Sequence, residues 1–425
     1  MDRKIRYEKL LDNINQYNLG GRGITRIAYT NEEQACTHAL MRMCKDAKMS
    51  VRLDAAGNLI ARREGKLDSL PPVVMGSHID SVYQGGKYDG VVGVTAALEV
   101  INRLNENEIV TEHPIEMISF ACEESSRFGV STIGSKAMAG RIDKEKYRKL
   151  TDRDGVSLEK AFSLCALNFN GIEQASRENE QFKAFFELHI EQGPVLETKK
   201  KKIGIVTGVA APARFIVKIL GRSSHSGTTP MSMRKDALLG AAEISLELEK
   251  SAKLESAFGT VATVGVIDIQ AGSMNVVPGE VEMKVDIRSC SAESRQRVLD
   301  HLYQTVSLVE QRRSLQIDCK EISMEEPVLL SNKLSHLLSN ICKEKEISYT
   351  FMQSGAGHDA MNMTGFGPTG LIFVPSKDGL SHHPNEYTEI NDILTGIEVL
   401  EAAVIYSARA MEGNDEINKG TNHLK

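Results

Sequence analysis

Between residues 281 and 288 apolar and charged side chains alternate without a break, Val281, Met283, Val285 and Ile287 against Glu282, Lys284, Asp286 and Arg288. Only an extended chain sends successive side chains to opposite faces, so this stretch has to be a strand with one buried and one wet face. Arg288 belongs to the wet face. The strand is the fourth element in a run that reads strand 213–220, helix 234–249, strand 260–269, strand 279–288, helix 292–312 and strand 315–321. That order, β-α-β-β-α-β, is the split βαβ, ferredoxin-like sandwich.

A different pattern flanks it. From about residue 71 to 208, short buried strands alternate with helices: 72–76 is an apolar strand, and 93–104 carries Val94, Leu98, Ile101 and Leu104 at helical spacing. The same α/β pattern returns after residue 325 with strand 370–374 and a final helix over 391–411, before a polar tail at 412–425 expected to fray. With 425 residues and 41% hydrophobic content, two cores are expected. The predicted organisation is a discontinuous α/β catalytic domain, 1–210 and 327–425, interrupted by an inserted α+β domain, 211–326. Linkers near 207–212 and 322–330 would let the insert close as a hinged lid.

Composition excludes several classes of function. A net charge of −6, with a single four-lysine run at Lys199–Lys202 that reads as a solvated turn, argues against a nucleic-acid partner. Seven cysteines without a Cys-x-x-Cys spacing fit neither a disulfide framework nor a zinc ribbon and point to a reducing compartment. No stretch approaches 18 uninterrupted apolar residues and Met1–Tyr7 has no leader-like core, so the expectation is a cytoplasmic protein with no membrane partner.

The chemistry gathers where strands end. The apolar run 114–122 stops at Glu123-Glu124, adjacent carboxylates that cannot both serve the fold. Most of His78, Asp80, Asp89, His189 and His382 likewise follow or close a short hydrophobic stretch, and His78, Glu123 and His189 fall at the carboxyl ends of strands, where ligands of open α/β sheets collect. Imidazole and carboxylate without thiolate suit Zn²⁺, Mn²⁺, Co²⁺ or Ni²⁺. Three histidines and three or four carboxylates exceed one four-coordinate ion but suffice for two divalent ions roughly 3.5–4 Å apart, with Asp89 as the shared ligand. The Ser-His-x-Pro-x-Glu spacing favours His382 over His383 for the last position.

Together these blocks carry a resemblance. Gly76-Ser77-His78-Ile79-Asp80, Gly85-Gly86-Lys87-Tyr88-Asp89-Gly90, Glu123-Glu124-Ser125-Ser126-Arg127-Phe128, Glu187-Leu188-His189-Ile190-Glu191-Gln192-Gly193, His225-Ser226-Gly227, Met274-Asn275-Val276, Asp286-Ile287-Arg288, Gly355-Ala356-Gly357-His358-Asp359 and Ser381-His382-His383-Pro384 span nearly the whole chain. The chain resembles the M20 family of metallohydrolases, in its hydantoinase/carbamoylase amidase branch. The resemblance implies a zinc-exopeptidase-like catalytic domain with an inserted lid and dimerisation domain. His78, Asp89 and His189 would hold one ion and Asp89, Glu124 and His382 the other. Glu123 would be the general base, Asp80 would orient His78, and His225 would stabilise the oxyanion. Gln192, Arg214, Asn275, Arg288 and His358 would contact substrate, Arg288 taking a carboxylate. A homodimer is implied, with His225 and Asn275 serving the partner's site.

The activity it implies is hydrolysis of the ureido C–N bond of N-carbamoyl-L-amino acids to amino acid, carbon dioxide and ammonia. Allantoate or a ureidoglycolate-type ureide is the alternative substrate. A dipeptidase or aminoacylase of the same fold, or a non-catalytic metal-binding relative, are the other readings. Ser125 stands where these amidases commonly have glycine, so the loop after the base departs from the pattern.

Overall fold

A computed structural model of the chain describes residues 3–409. The end of the last expected helix at Met411 and the tail 412–425 lie outside the described residues. The chain divides into two compact units. The first runs to Thr207 and adds Leu330–Met352 and the chain from His358 on, and the second comprises Gly208–Leu329 and Gln353–Gly357. The short return segment joins the second unit because Ser354 O accepts from Ala210 N at 2.8 Å and Gly355 O accepts from Arg288 Nη1 at 2.8 Å. No helix among the described residues is long and apolar enough to cross a membrane.

The first unit is built on a mixed sheet in the order Ser50–Leu53, Leu59–Arg63, Ile115–Phe120, Val73–His78, Ala184–Ile190, Thr369–Val374, Ile203–Val209. The four strands from Ile115–Phe120 to Thr369–Val374 are mutually parallel. Every residue in these four is buried, which is why their sequences read as near-continuous apolar runs rather than alternations. Val73 and Met75 pack with helices Val91–Glu106 and Ile390–Ser407, while Val74 turns to the other face with Ile118, Phe185 and Met363. Helices therefore cover both faces, and the site can open only at a sheet end.

The second unit is a four-stranded antiparallel sheet, ordered Gln316–Met324, Ala211–Leu220, Glu280–Ser289, Val261–Ile269. Val281, Met283, Val285 and Ile287 are buried with Ala213, Phe215, Val217 and Ile219 under helices Ala237–Leu254 and Ala292–Arg313, the βαββαβ arrangement that the alternation requires. One boundary differs from the expected 234–249. Asp236 accepts from Leu239 N and caps the helix, so it begins at Ala237 and runs to Leu254.

The helix Val91–Glu106 leaves the site directly after Asp89-Gly90, and its far end is held by buried charge. Arg103, 2% exposed, donates to Glu99 and to Glu401 of the last helix, each at 3.0 Å. Arg103→Ala would leave fully buried Glu99 with Arg6 as its remaining cation. A loss of about 3 kcal/mol is expected, the low end of the range for breaking a buried pair, read as a lowered unfolding midpoint in denaturant.

Candidate metal centre

The sheet brings His78, Glu123, Glu124 and His189 to the same strand ends, and two loops add Asp89 and His382. His78 closes Val73–His78, the glutamates follow Ile115–Phe120, and His189 lies one residue from the end of Ala184–Ile190. Asp89 is on the turn into helix Val91–Glu106, where Gly90 has φ +66° and a Cβ would fall 2.4 Å from the His78 ring. Only glycine lets that turn approach the imidazole.

Both strand histidines have one nitrogen committed. His78 Nδ1 lies 3.0 Å from Asp80 O and His189 Nδ1 2.9 Å from Ile190 O. A proton on each Nδ1 makes each Nε2 the accepting nitrogen, the tautomer a metal ligand needs, and His189 Nε2 here accepts from Gly90 N at 3.1 Å. Those Nε2 atoms face Asp89 Oδ1 at 3.6 and 3.2 Å. His382 Nε2 faces the other oxygen, Asp89 Oδ2, at 3.3 Å and Glu124 Oε1 at 3.2 Å. Two ligand triads result, His78/Asp89/His189 and Asp89/Glu124/His382, with one carboxylate oxygen of Asp89 turned toward each. A third group, Glu187/His189/His358, shares His189, whose Nε2 already faces Asp89 and accepts from Gly90 N.

Charge explains why these side chains tolerate burial together. Asp80, Asp89, Glu123, Glu124, Glu187 and Asp359 are all at most 7% exposed. Burial alone would raise the Asp89 pKa, but hydrogen bonds from His189, His382 and His78 hold it well below the usual carboxylate range. Burial pushes the Glu123 carboxyl well above that range, against the pull of His78. Burial would lower His78, yet Glu123, Asp80 and Asp89 draw it well above its ordinary value, and Asp89 and Glu124 raise His382 to about 11. So much buried negative charge compensated only by imidazoles, in an all-nitrogen and oxygen donor set, fits divalent cations of the zinc to manganese group.

Glu123 lies beside the triads, Oε2 3.7 Å from His78 Nε2. Asp80 has two tasks. Its backbone carbonyl binds His78, while its carboxylate accepts from Glu123 N at 3.1 Å and Glu124 N at 3.0 Å, fixing both glutamates. Gln192 donates to Asp89 Oδ2 at 2.7 Å, and its buried Oε1 has no hydrogen-bond partner. His358 stacks edge-on against His189 with centroids 4.6 Å apart, and burial holds its pKa well below the ordinary value.

His225, Asn275, Arg214 and Arg288 lie in the second unit. His225 pairs with Val276 in a two-residue ladder next to Asn275, whose carbonyl accepts from Ser226 N at 2.9 Å. Arg214 and Arg288 both bind Asp286, at 3.1 Å and through two bonds of 3.0 Å. Glu386 had been given no role. Its buried carboxylate accepts from Tyr88 N and Asp89 N at 3.0 and 3.1 Å and from Ser381 Oγ at 3.1 Å, and Ser381 Oγ also lies 2.8 Å from Asp89 Oδ2. The Ser-His-x-Pro-x-Glu spacing was the available signal for it.

A discontinuous α/β sheet with an inserted βαββαβ unit and paired His/carboxylate triads at its strand ends defines a metallohydrolase. Residues 74–406 match peptidase family M20/M25/M40. A protein of Haemophilus influenzae named only as an uncharacterized hydrolase is 46% identical over 91% of this chain and 93% of its own. An N-carbamoyl-L-amino-acid amidohydrolase of a Pseudomonas species is 40% identical over 90% and 93%. The allantoate amidohydrolase of Escherichia coli is 32% identical over 90% and 92%. The crystal structure of a hydantoinase/carbamoylase family amidase from Burkholderia multivorans superposes with a TM-score of 0.89 at 32% identity, covering 96% of this chain and 98% of that one. The chain belongs to the M20 family, in its hydantoinase/carbamoylase amidase branch, and is a hydrolase of C–N bonds.

Glu386→Ala would release both the Asp89 turn and Ser381. A 10–100-fold loss of metal affinity is expected, as for other partners that orient ligands, measured by competition with a chromogenic chelator.

Proposed function

We propose that the protein is a binuclear metal-dependent amidohydrolase that hydrolyses N-carbamoyl-L-amino acids to the amino acid, carbon dioxide and ammonia. The observation that carries the reading is the sharing of Asp89 between two ligand triads with Glu123 alongside. His78, Asp89 and His189 would hold one ion and Asp89, Glu124 and His382 the other. Ions bound there supply Lewis acidity, lowering the pKa of an attacking water and polarising the ureido carbonyl. Glu123 takes the proton of that water and delivers it to the departing nitrogen, and its raised pKa suits a group that must both accept and give. Asp80 keeps base and ligand in register by holding both amides. His225 is assigned the developing oxyanion, Asn275, Gln192 and His358 the substrate's polar groups, and Arg288 its carboxylate.

The greater identity to the relative named for N-carbamoyl-L-amino acids than to the one named for allantoate supports the choice of substrate.

Ammonia release from metal-loaded protein, measured across N-carbamoyl-L-amino acids, allantoate, ureidoglycolate and dipeptides, tests the reading. The carbamoyl compounds should be fastest, and preference for allantoate or a dipeptide would reject it. Chelation should abolish turnover and added metal restore it. Glu123→Gln should keep its metal and lose about 10²–10⁴-fold in kcat, the usual contribution of a general base. Arg288→Ala should raise KM by about tenfold or more, and unchanged saturation would remove the carboxylate role.

A further inference from the structure

A cavity of about 340 Å³ adjoins the centre on the side of His382, whose side chain is 49% exposed. Its walls come from residues 22, 83–84 and 382–385 and include no aspartate or glutamate. Arg22 stands in that wall with no ion pair or hydrogen bond among the described residues. A second guanidinium, Arg153, lies over the Tyr83 ring at 4.0 Å from its centroid but is paired with Asp154 at 3.8 Å, so Arg22 supplies the charge of this wall. The lining is therefore one-signed, in contrast to the acid-rich triads beside it.

The loop carrying Arg22 is built into place. Asn18 Oδ1 accepts from Gly20 N at 3.2 Å and Thr25 N at 2.7 Å, and Asn18 Nδ2 donates to Gly23 O at 3.1 Å. Ile24 and Gly85 exchange both backbone hydrogen bonds, at 2.9 and 2.7 Å. Gly23 has φ +74°, and a Cβ there would lie 2.4 Å from Gly85 O and 3.0 Å from Pro384 Cα. The backbone thus presses directly on the segment that carries His382, which sets Arg22 over the cavity.

We infer that Arg22 is a specificity residue that receives an anionic side-chain group of the substrate, so that N-carbamoyl derivatives of acidic amino acids are favoured. The inference rests on the proposed carbamoylase activity and on the cavity serving as the side-chain pocket. An unpaired guanidinium in an acid-free wall is complementary to a carboxylate and offers a neutral amide of equal size much less. The volume lies at the small end for ligand pockets, as a single amino-acid side chain requires.

The test compares kcat/KM for N-carbamoyl-L-glutamate against N-carbamoyl-L-glutamine, and for the aspartate and asparagine pair, in the wild type, Arg22→Gln and Arg22→Lys. The wild type should prefer the acid. Arg22→Gln should lower the acid-to-amide ratio roughly tenfold, the scale of a lost charge-assisted hydrogen bond, and Arg22→Lys should restore part of it. A wild-type preference for the amide, an unmoved ratio, or an equal loss for acid and amide would each overturn the assignment. Calorimetric binding of the same four compounds to metal-loaded Glu123→Gln protein separates this from the functional reading. If no carbamoyl compound is turned over yet Arg22→Gln selectively weakens binding of the acids, the functional reading falls and the anion site stands. If binding is equal as well, the anion site falls.

Discussion

The structure turns on one carboxylate offering its two oxygens in opposite directions. Asp89 Oδ1 faces His78 and His189, and Oδ2 faces His382. Neither triad is complete without it, so everything that fixes its rotation fixes both at once. Three devices do so: the Gly90 turn that brings the backbone against His78, the Glu386 carboxylate that takes the Tyr88 and Asp89 amides, and Gln192 and Ser381 at Oδ2. Each comes from a different part of the chain, so the site reports on the folding of the whole first unit.

The acids around this centre divide by what holds them. Asp80 spends both oxygens on backbone amides and makes the Glu123-Glu124 pair a rigid step after its strand. Asp359, fully buried, takes a hydrogen bond from Ser135 and has its other oxygen unpartnered, and burial raises its pKa to about 8. Glu187 braces Ser77 and the Ala360 amide behind His78 and His189. The adjacent carboxylates thus face different partners because their backbone is pinned while their side chains diverge, Glu124 toward His382 and Glu123 toward His78.

Much of this was legible in the sequence, for physical reasons that can be named. The alternation at Val281–Ile287 specified the second unit's sheet because period two has only one structural meaning, and the observed register keeps all four residues buried. His78, Glu124 and His189 were legible because they lie at the ends of buried strands, and Asp89 and His382 because of the blocks around them. The Ser-His-x-Pro-x-Glu spacing marked Glu386 but not its work, which escaped because it accepts backbone hydrogen bonds from a turn some 300 positions away in the chain. The Gln353–Gly357 segment escaped for the same reason, since its membership of the second unit depends on Ala210 and Arg288. Asp80 was legible as a neighbour of His78 from its spacing, but its carboxylate's hold on the Glu123 and Glu124 amides was not, because it joins segments far apart in the chain.

The cations of the second unit show how the fold can orient a guanidinium before any ligand is present. Asp286 sits between Arg214 and Arg288, cross-strand and two residues along, and against the effect of its burial these guanidiniums hold its pKa below the usual range. Two of the Arg288 N–H groups are used on Asp286 and one on Gly355 O, which locks the fork while leaving two of its five donors unspent. The cluster carries two positive charges and one negative, so it keeps a residual charge suited to a monoanion. A lone arginine on an exposed strand would lose rotamer freedom on meeting a carboxylate. Here Asp286 has already removed that freedom during folding, so the carboxylate proposed for Arg288 would meet an oriented donor pair instead of a flexible chain.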